Sequence, residues 1–509
     1  MNSIARWVGI IGVSLALNAP AQGERLPSLG EAQVWSTSQE QRLGASIKAS
    51  LYASDRVWTD PVLEDYVRRV WGVLFESART QGLLPDDLAE SLPWVQLVIR
   101  DASLNAFAMP GGVVGVHLGL LASGREVDTL AAVLAHEMSH VSQRHIPRLL
   151  EAQNQVTPLA MGALLVAILI AGQNDNADAA QAAIAGSQAV VAQAGINFTR
   201  GMEQEADRVG WQIYTGAGFS SQGYAALFEK LEQASRLNDD GSHAYLRTHP
   251  LSRERIAEVM ARQTFQSVSS PAGHPDLIAL APWVQMRAKV AATTRADDWR
   301  AWVSRAGPLK RSMSADEQRM LYLAMHSAIR LGDFEWAWKA IQHLVQLPQE
   351  SAAVEALLSA DWLSIARQLP QPSVREHEAQ ARIQRGLKSG WRGEWLAAVR
   401  WSIERGQADQ VVGALQSKVV TDPLDYEMWT MLALAREAQG ETLRMLRAQA
   451  EAQWARGNAS GAVDRIVAAR VWSVAHPAID PIEAQVVLTR ERDMRRFMAA
   501  QAAAEATDR

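Results

Sequence analysis

Cysteine is absent from this sequence of 509 residues. Its absence excludes disulfide bonds, thiolate catalysis, a zinc site built from cysteines and a lipid anchor on an N-terminal cysteine. The absence does not identify a compartment, but it suits an oxidising one, where an unpaired thiol is a liability. Disulfides therefore play no part in stabilising this protein.

An excess of basic residues is also missing. The formal net charge is −5, the isoelectric point is near 6.2, and no run rich in lysine and arginine occurs. Proteins that bind nucleic acid need a basic surface, so we expect no nucleic acid among the partners. Hydrophobic residues make up 48% of the chain, which is typical of a globular protein. A chain of this length is too long for one core, so two or three domains are expected.

Apolar runs long enough to cross a membrane are missing as well. The apolar run at 158–171 holds 14 residues, whereas a spanning helix needs about 20. We therefore predict a buried helix there. A peripheral contact with a membrane surface is the alternative that the sequence leaves open.

The first 21 residues have the pattern of a cleavable signal peptide. Arg6 supplies the positive charge, the stretch from Trp7 to Leu17 is apolar, and Ala19-Pro20-Ala21 matches a small-x-small cleavage site. The apolar stretch is about half as long as a spanning helix requires, which favours cleavage over an uncleaved membrane anchor. The mature protein would then begin near Gln22 and be exported.

A metal-binding pattern is present at residues 136–140, His136-Glu137-Met138-Ser139-His140. Two histidines four residues apart lie on one face of a helix and can bind one divalent metal together. Glu137 is adjacent to the first ligand, so it can accept a proton from a water at the metal without ligating the metal itself. The five-residue pattern alone leaves an ordinary buried helix as an equal alternative, and a third ligand is needed to decide.

The helix that carries this pattern has its own start signal. Ser123 followed by Glu126 is a capping-box pattern, and apolar residues follow at helical spacing. We therefore predict that the metal-binding helix begins just after Ser123.

The segment Glu203-Gln204-Glu205-Ala206-Asp207 supplies a third ligand from a second predicted helix. Glu203 and Asp207 are four residues apart and share a face, whereas Glu205 points elsewhere. Glu203 would complete a site of two histidines and one glutamate that leaves the fourth zinc position to water. Asp207 could accept a hydrogen bond from the outer nitrogen of a ligand histidine and so select its tautomer. The sequence thus predicts one zinc ion per chain.

These two motifs together resemble the zinc metallopeptidases that include HtpX and the CAAX prenyl proteases. The stretch 105–112 and the segment Thr248-His249-Pro250 with Arg255 match the same family pattern, so the resemblance covers roughly residues 35–260. It implies a zinc metalloendopeptidase in which His136, His140 and Glu203 hold the metal and Glu137 is the general base.

The resemblance also draws attention to His249 and Arg255. Pro250 keeps His249 out of a helical conformation, and a loop histidine of this kind is often only a surface residue. The family match leaves two roles open: His249 or Arg255 could stabilise an oxyanion, or His249 could occupy the fourth zinc position and make the enzyme latent. Two further histidines are expected outside the ligand set, His117 on a strand and His145 five residues beyond His140.

A short sheet is predicted upstream of the metal helix. Residues 94–99 alternate like a strand, and residues 105–109 and 113–118 flank a Pro110-Gly111-Gly112 turn. In the resembling family this stretch forms an edge to which substrate adds as a strand, so residues 105–108 are candidates for binding the substrate backbone. The alternative is a hairpin that only covers the core.

The C-terminal half has a different composition. Residues 267–275 are rich in Ser, Pro and Gly and indicate a linker, and 12 of the 18 tryptophans follow residue 275. Gly406 and Gly440 are 34 residues apart, the tetratricopeptide (TPR) period, and Gly332-Asp333 resembles a turn between paired helices. Residues 276–509 are therefore predicted to form helical repeats of unknown number, which offer a concave surface to partners.

These observations predict an α+β zinc metallopeptidase domain over 22–266, a linker at 267–275 and an all-α, TPR-like helical-repeat domain over 276–509. The resemblance, taken with the signal peptide and the repeats, implies a periplasmic protease in the quality control and assembly of outer-membrane proteins. Its partners would be misfolded or stalled outer-membrane protein precursors and, through the repeats, the barrel-assembly machinery. The alternative is a chaperone or scaffold of outer-membrane assembly whose protease activity is latent.

Overall fold

The computed structural model describes residues 36–124, 126–153, 199–236, 245, 249–265, 273–369, 376–476 and 480–507. They belong to one compact unit, Trp35–Arg509. The predicted signal peptide, the apolar run at 158–171, Thr248 and most of the linker at 267–275 lie outside the described residues. Within the described ranges, no helix combines the length and the apolar character that crossing a membrane requires.

Three helices precede the sheet: α1 (Thr37–Ala53), α2 (Pro61–Thr80) and α3 (Asp86–Ser91). The Asp60 side chain accepts hydrogen bonds from the first backbone N–H groups of α2, and Pro61 occupies the first helical turn, where it sacrifices no hydrogen bond. The apolar face of α2 is buried in the central core. Asp60 is therefore the N-cap of α2, and Pro61 is its first residue.

The sheet has three strands, β1 (Val95–Ile99), β2 (Ala106–Met109) and β3 (Val113–His117), in the order β1-β3-β2. The β2–β3 hairpin is antiparallel, as predicted, and β1 pairs with β3 in parallel. Gly111 has a φ of +81° in the turn, and a side chain there would overlap the backbone of Gly44 in α1. The close contact between these two glycines brings α1 against the hairpin.

Helix α4 (Leu118–Ser123) follows β3 directly, and α5 (Val127–Ser142) and α6 (His145–Gln153) come next. The predicted capping box at Ser123 is wrong: Ser123 is the last residue of α4, and its hydroxyl donates to the Leu120 carbonyl. Gly124 and Glu126 both have extended backbone conformations, and α5 begins after Glu126. Apart from Asp128, α5 is buried along its whole length, as expected for a helix in the centre of a domain.

Helices α7 (Arg200–Gly216), α8 (Ser221–Arg236) and α9 (Arg253–Phe265) complete the N-terminal half. Helix α7 packs along α5, and the two helices are close at Gly210, because a β-carbon there would lie 3.2 Å from the Ala135 backbone. Helix α7 ends at Gly216. The approach of α7 to α5 positions the two motifs of the site.

Helices and no strands form the described part of the C-terminal half. They are α10 (Pro275–Ala292), α11 (Ala296–Arg305), α12 (Ala315–Arg330), α13 (Phe334–Leu344), α14 (Ala352–Ala366), α15 (Glu376–Gly386), α16 (Arg392–Glu404), α17 (Asp409–Thr421), α18 (Tyr426–Ala438), α19 (Thr442–Ala455), α20 (Ala459–Ala475) and α21 (Pro481–Thr507). Gly332, Gly406, Gly440 and Gly457 have positive φ angles in turns between successive helices. The all-α prediction is confirmed over the described residues, whereas the TPR-like repeat stays a prediction.

The two halves share one hydrophobic core. Helix α10 packs against α4 and α2, and its buried Leu280 and Trp283 belong to the same cluster as the apolar faces of α2 and α5. Arg287 of α10 connects the halves by ion pairs of 2.7 Å to Asp60 and 2.6 Å to Asp361. The predicted domain boundary at 267–275 stays a prediction. Residues on its C-terminal side, such as Arg287, contact the N-terminal half.

A second group of charges joins α2 to the C-terminal helices. Arg392, at the start of α16, pairs with Asp425 at 2.7 Å and with Glu427, and its backbone N–H donates to Asp65 of α2. Glu64, the residue before Asp65 in α2, is buried, and its carboxylate lies 3.7 Å from the Arg392 guanidinium. Buried ion pairs of this kind constrain geometry more than they add stability.

Candidate active site

The central pair of the site, His136 and His140, projects from the middle of α5. Their Nε2 atoms are 3.0 Å apart, and both side chains are almost fully buried. The helix spacing places the two rings one turn apart on one face, as predicted. Both histidines turn Nε2 towards the same point and Nδ1 away from it.

Glu203 reaches that point from the first turn of α7. Its carboxylate oxygens lie 3.5 Å from each of the two histidine Nε2 atoms. His249 approaches from the loop before α9, with Nδ1 3.3 Å from His136 Nε2 and 3.0 Å from Glu203 Oε1. One ligand atom from each of these four residues lies within 4.8 Å of the other three. The structure therefore brings the three predicted ligands together and adds His249 as a fourth donor.

The donors in this cluster fit a divalent metal ion. Glu137 Oε1 is buried and accepts no hydrogen bond from a described residue, and Glu203 Oε2 is buried with only an ion-pair contact of 2.7 Å to Arg255. An unsatisfied buried carboxylate oxygen is costly, and a cation removes that cost. Two imidazoles and a carboxylate are also the ligands of many catalytic zinc sites.

The electrostatics of the cluster favour a cation. Burial disfavours a charged imidazole, but the hydrogen bonds to Asp207 and Glu203 outweigh burial and raise the pKa of His136 to about 9. A metal ion competes with protons for such a ligand. The Asp207 and Glu203 carboxylates, which favour a proton on His136, would therefore also favour a divalent cation in place of that proton.

The Asp207 carboxylate contacts Nδ1 of His136, the ring nitrogen that points away from the ligand cluster. Its Oδ1 is 3.0 Å from His136 Nδ1, and Arg255 donates two hydrogen bonds to the carboxylate, at 2.6 and 2.9 Å. Burial alone would raise the pKa of Asp207, but the Arg255 and His136 hydrogen bonds hold it below the usual range. The ionised carboxylate would select the His136 tautomer that presents an Nε2 lone pair to a metal ion.

Arg255 lies behind the ligands. Besides Asp207, its guanidinium contacts Glu203 Oε2 at 2.7 Å and donates to the Pro250 carbonyl at 2.7 Å. These contacts tie α7 to the loop that carries His249, and the side chain is only 4% exposed. The geometry therefore favours a positioning role for Arg255, whereas the oxyanion role stays a prediction.

Glu137 lies beside the ligands without joining them. Its Oε2 accepts a hydrogen bond of 3.2 Å from the Ala108 backbone N–H in β2, and its Oε1 is 3.3 Å from His249 Nε2. Burial raises the pKa of Glu137, and the neighbouring His249 opposes that shift. A carboxylate more basic than usual is better suited to accept a proton near neutral pH.

The β2 strand forms the rim of the site. It has a strand neighbour on one side only in the described part of the chain, and it packs against α5. The Ala108 contact places this edge within hydrogen-bonding reach of the Glu137 carboxylate. The predicted binding of the substrate backbone to residues 105–108 stays a prediction.

Of the two remaining histidines, His117 behaves as predicted. It is buried, with Nδ1 3.0 Å from the Ser103 hydroxyl and 3.4 Å from Asp101. His145 is not a ligand either, but its Nδ1 lies 2.9 Å from His140 Nδ1. This contact could not be predicted from the sequence, because on one continuous helix His145 would point away from His140.

Comparison with known proteins identifies the domain that carries the site. Residues 80–263, which contain every predicted site residue, match Peptidase family M48. The Beta-barrel assembly-enhancing protease of Escherichia coli (strain K12) is 32% identical over 258 residues, 50% of each chain. That of Yersinia pestis is 33% identical over 245 residues, 48% of each chain.

A mitochondrial protein shows similarity over a shorter region. The Mitochondrial metalloendopeptidase OMA1 of Schizosaccharomyces pombe is 31% identical over 170 residues, which are 33% of this chain and 46% of the relative. The matched region spans about half the length of these curated relatives.

Proposed function

We propose that this chain, whose residues 80–263 form a Peptidase family M48 domain, is an exported zinc metalloendopeptidase in the quality control and assembly of outer-membrane proteins. The observation that carries the proposal is the convergence of His136, His140 and Glu203 on one point, with Glu137 beside them. A fold alone would not support an activity. The geometry of these four side chains supports metal-dependent peptide hydrolysis.

His136, His140 and Glu203 would hold one zinc ion per chain. Bound there, zinc would polarise the substrate carbonyl and lower the pKa of the attacking water. Asp207 and Arg255 keep the ligands in place through the contacts described above. The position of Glu137, one residue after the first ligand, keeps its carboxylate close to the reacting atoms.

Glu137 would move the protons. The Ala108 N–H anchors Oε2, which leaves Oε1 directed at the site to accept a proton from water. The same carboxyl group can then protonate the leaving amine, and this completes peptide hydrolysis. General acid–base catalysis by a positioned side chain contributes about 10²–10⁴-fold to the rate.

The substrate would bind as an extended strand along β2. Backbone groups of residues 105–108 would pair with the peptide, as in other cases of strand addition to a sheet edge. Unfolded polypeptide is the form of substrate that can adopt this conformation. Misfolded or stalled outer-membrane protein precursors are such polypeptides.

The biological setting is supported by the relatives and by the sequence. Two of the similar proteins are named Beta-barrel assembly-enhancing protease, and residues 1–21 have the pattern of a signal peptide. We therefore place the protein in the periplasm. The helices of the C-terminal half would contact the barrel-assembly machinery.

The second candidate function is that of a chaperone or scaffold with latent protease activity. The position of His249 favours it, because its Nδ1 lies among the ligand atoms and could occupy the coordination position that hydrolysis needs. The two functions differ in the activity of the resting protein.

The experiment that tests the proposal measures metal content and hydrolysis together. Purified full-length protein should contain one zinc ion, cleave an unstructured protein such as casein, and lose activity with a chelator and regain it with zinc. Bound zinc without cleavage would favour the latent scaffold. A protein that binds no zinc would contradict both functions.

A further inference from the structure

The two ligand histidines have different partners at their outer nitrogens. His136 Nδ1 faces the Asp207 carboxylate, whereas His140 Nδ1 faces the ring of His145 at 2.9 Å. His145 is fully buried, and its Nε2 lies 3.1 Å from Glu205 Oε2. Arg148 in turn donates to the same Glu205 oxygen at 3.0 Å. A chain of contacts thus runs from the metal site through His145 to the protein surface.

If His140 binds a metal and both imidazole rings are neutral, only one placement of the ring hydrogens satisfies these contacts. His140 would coordinate through Nε2, so a neutral ring carries its hydrogen on Nδ1. His145 Nδ1 must then accept, which places the His145 hydrogen on Nε2, facing Glu205. The Glu205 carboxylate accepts that hydrogen, so each contact has one donor and one acceptor.

We propose that His145 and Glu205 are positioning residues that select the tautomer and orientation of His140. Glu205 selects the His145 tautomer, and His145 then presents the lone pair that His140 needs. The inference rests on the proposed metal site and adds to it a relay on the side opposite Asp207. Partners of this kind typically change metal affinity by about 10–100-fold when they are removed.

The fold builds this relay with a break between α5 and α6. Five residues along a continuous helix correspond to a rotation of about 140° beyond one full turn, which would direct His145 away from His140. Instead α5 ends at Ser142, and Arg144 adopts a φ of +55°, a conformation that L-residues rarely adopt. The Arg144 guanidinium is paired with the buried Glu40 of α1. The change in chain direction at this turn brings the His145 ring against the His140 ring.

Four substitutions in the full-length protein test the relay. His145→Ala removes the acceptor of His140 Nδ1–H. Glu205→Ala leaves the His145 ring but removes its acceptor, whereas Glu205→Gln retains a carbonyl oxygen in the same place. Leu134→Ala is the matched control, because Leu134 is fully buried in α5 and belongs to the apolar core.

The readout is zinc affinity, measured by competition with a chromophoric chelator, together with the absorption spectrum of the cobalt-substituted protein. We expect affinity to fall about 10–100-fold in His145→Ala. Glu205→Ala should weaken binding and shift the cobalt bands, whereas Glu205→Gln and Leu134→Ala should match the wild type in both. Glu205 is 29% exposed at its side chain, so its variants should fold even if His145→Ala does not.

The outcomes separate the relay from the metal site itself. If the wild type binds no zinc, the proposed function fails. If the wild type binds zinc and folded His145→Ala binds it equally well, or if Glu205→Ala and Glu205→Gln are indistinguishable, the relay is refuted and the metal site stands. Equal loss of affinity in Leu134→Ala would mean that general destabilisation, and not the relay, lowers affinity.

Discussion

Replacement of Glu137 by glutamine separates proton transfer from metal binding. The substitution preserves the volume of a side chain that is 2% exposed, and the amide oxygen can still accept the Ala108 N–H. None of the three predicted ligands is altered. The only function removed is the ability of Oε1 to accept a proton, so the change probes the assigned base without disturbing its surroundings.

The expected loss follows from that single function. General-base catalysis contributes about 10²–10⁴-fold, which corresponds to about 2.7–5.4 kcal/mol of activation free energy. Zinc occupancy should stay at the wild-type level, because Glu137 is not among the four candidate ligand residues. We therefore expect kcat to fall by that factor, with one zinc ion retained per chain.

The assay combines hydrolysis of a fluorescent casein substrate with metal analysis of the same preparations. His136→Ala is the opposite control and should lose both zinc and activity. Glu258→Gln on α9 alters an acidic residue that contacts Gln204 and Arg262 and is not one of the candidate ligands, so this variant should retain both. Full activity in Glu137→Gln would refute the role of general base. Loss of zinc in that variant would show that Glu137 is a ligand.

Three further predictions concern the loop, the junction and pH. His249→Ala should accelerate hydrolysis of an unstructured substrate if His249 makes the enzyme latent; we favour this role because Nδ1 lies among the ligand atoms, and reduced turnover at unchanged zinc content would instead support an oxyanion role. A fragment of residues 276–509 should melt at a lower temperature than the full chain in circular dichroism, because it exposes the face of α10 that is buried against α2 and α4, and an equal, cooperative melt would contradict the shared core. Burial, with the Glu427 carboxylate nearby, raises the pKa of Glu64, so the folded protein binds a proton that the unfolded chain releases at lower pH. Stability should therefore decrease as pH rises above the ordinary carboxylate range, and Glu64→Gln should flatten this slope in melting temperatures measured from pH 5 to 9, whereas an unchanged slope would refute the assignment.

Several features of this protein could be predicted from residues close together in the chain. The spacing of His136 and His140 and of Glu203 and Asp207 determines which side chains share a helix face, whatever the helix packs against. The Asp60-Pro61 start of α2 and the glycine turns are equally local, because they depend on backbone conformation and the first free N–H groups. The Ser123 prediction failed because a cap signal cannot tell whether its helix ends or begins there.

Only the tertiary structure decided the relations between distant segments. His249 reaches the ligands from 109 residues beyond His140 in the sequence, and Arg255 clamps Asp207 and Glu203 from behind. His145 joins His140 because Arg144 takes a left-handed conformation that no periodic pattern reports. Helical periodicity is a property of one segment, whereas these contacts depend on how segments pack and where the chain turns between them. For that reason the three candidate ligands and the candidate base could be predicted from the sequence, whereas the contacts that support them depend on the fold.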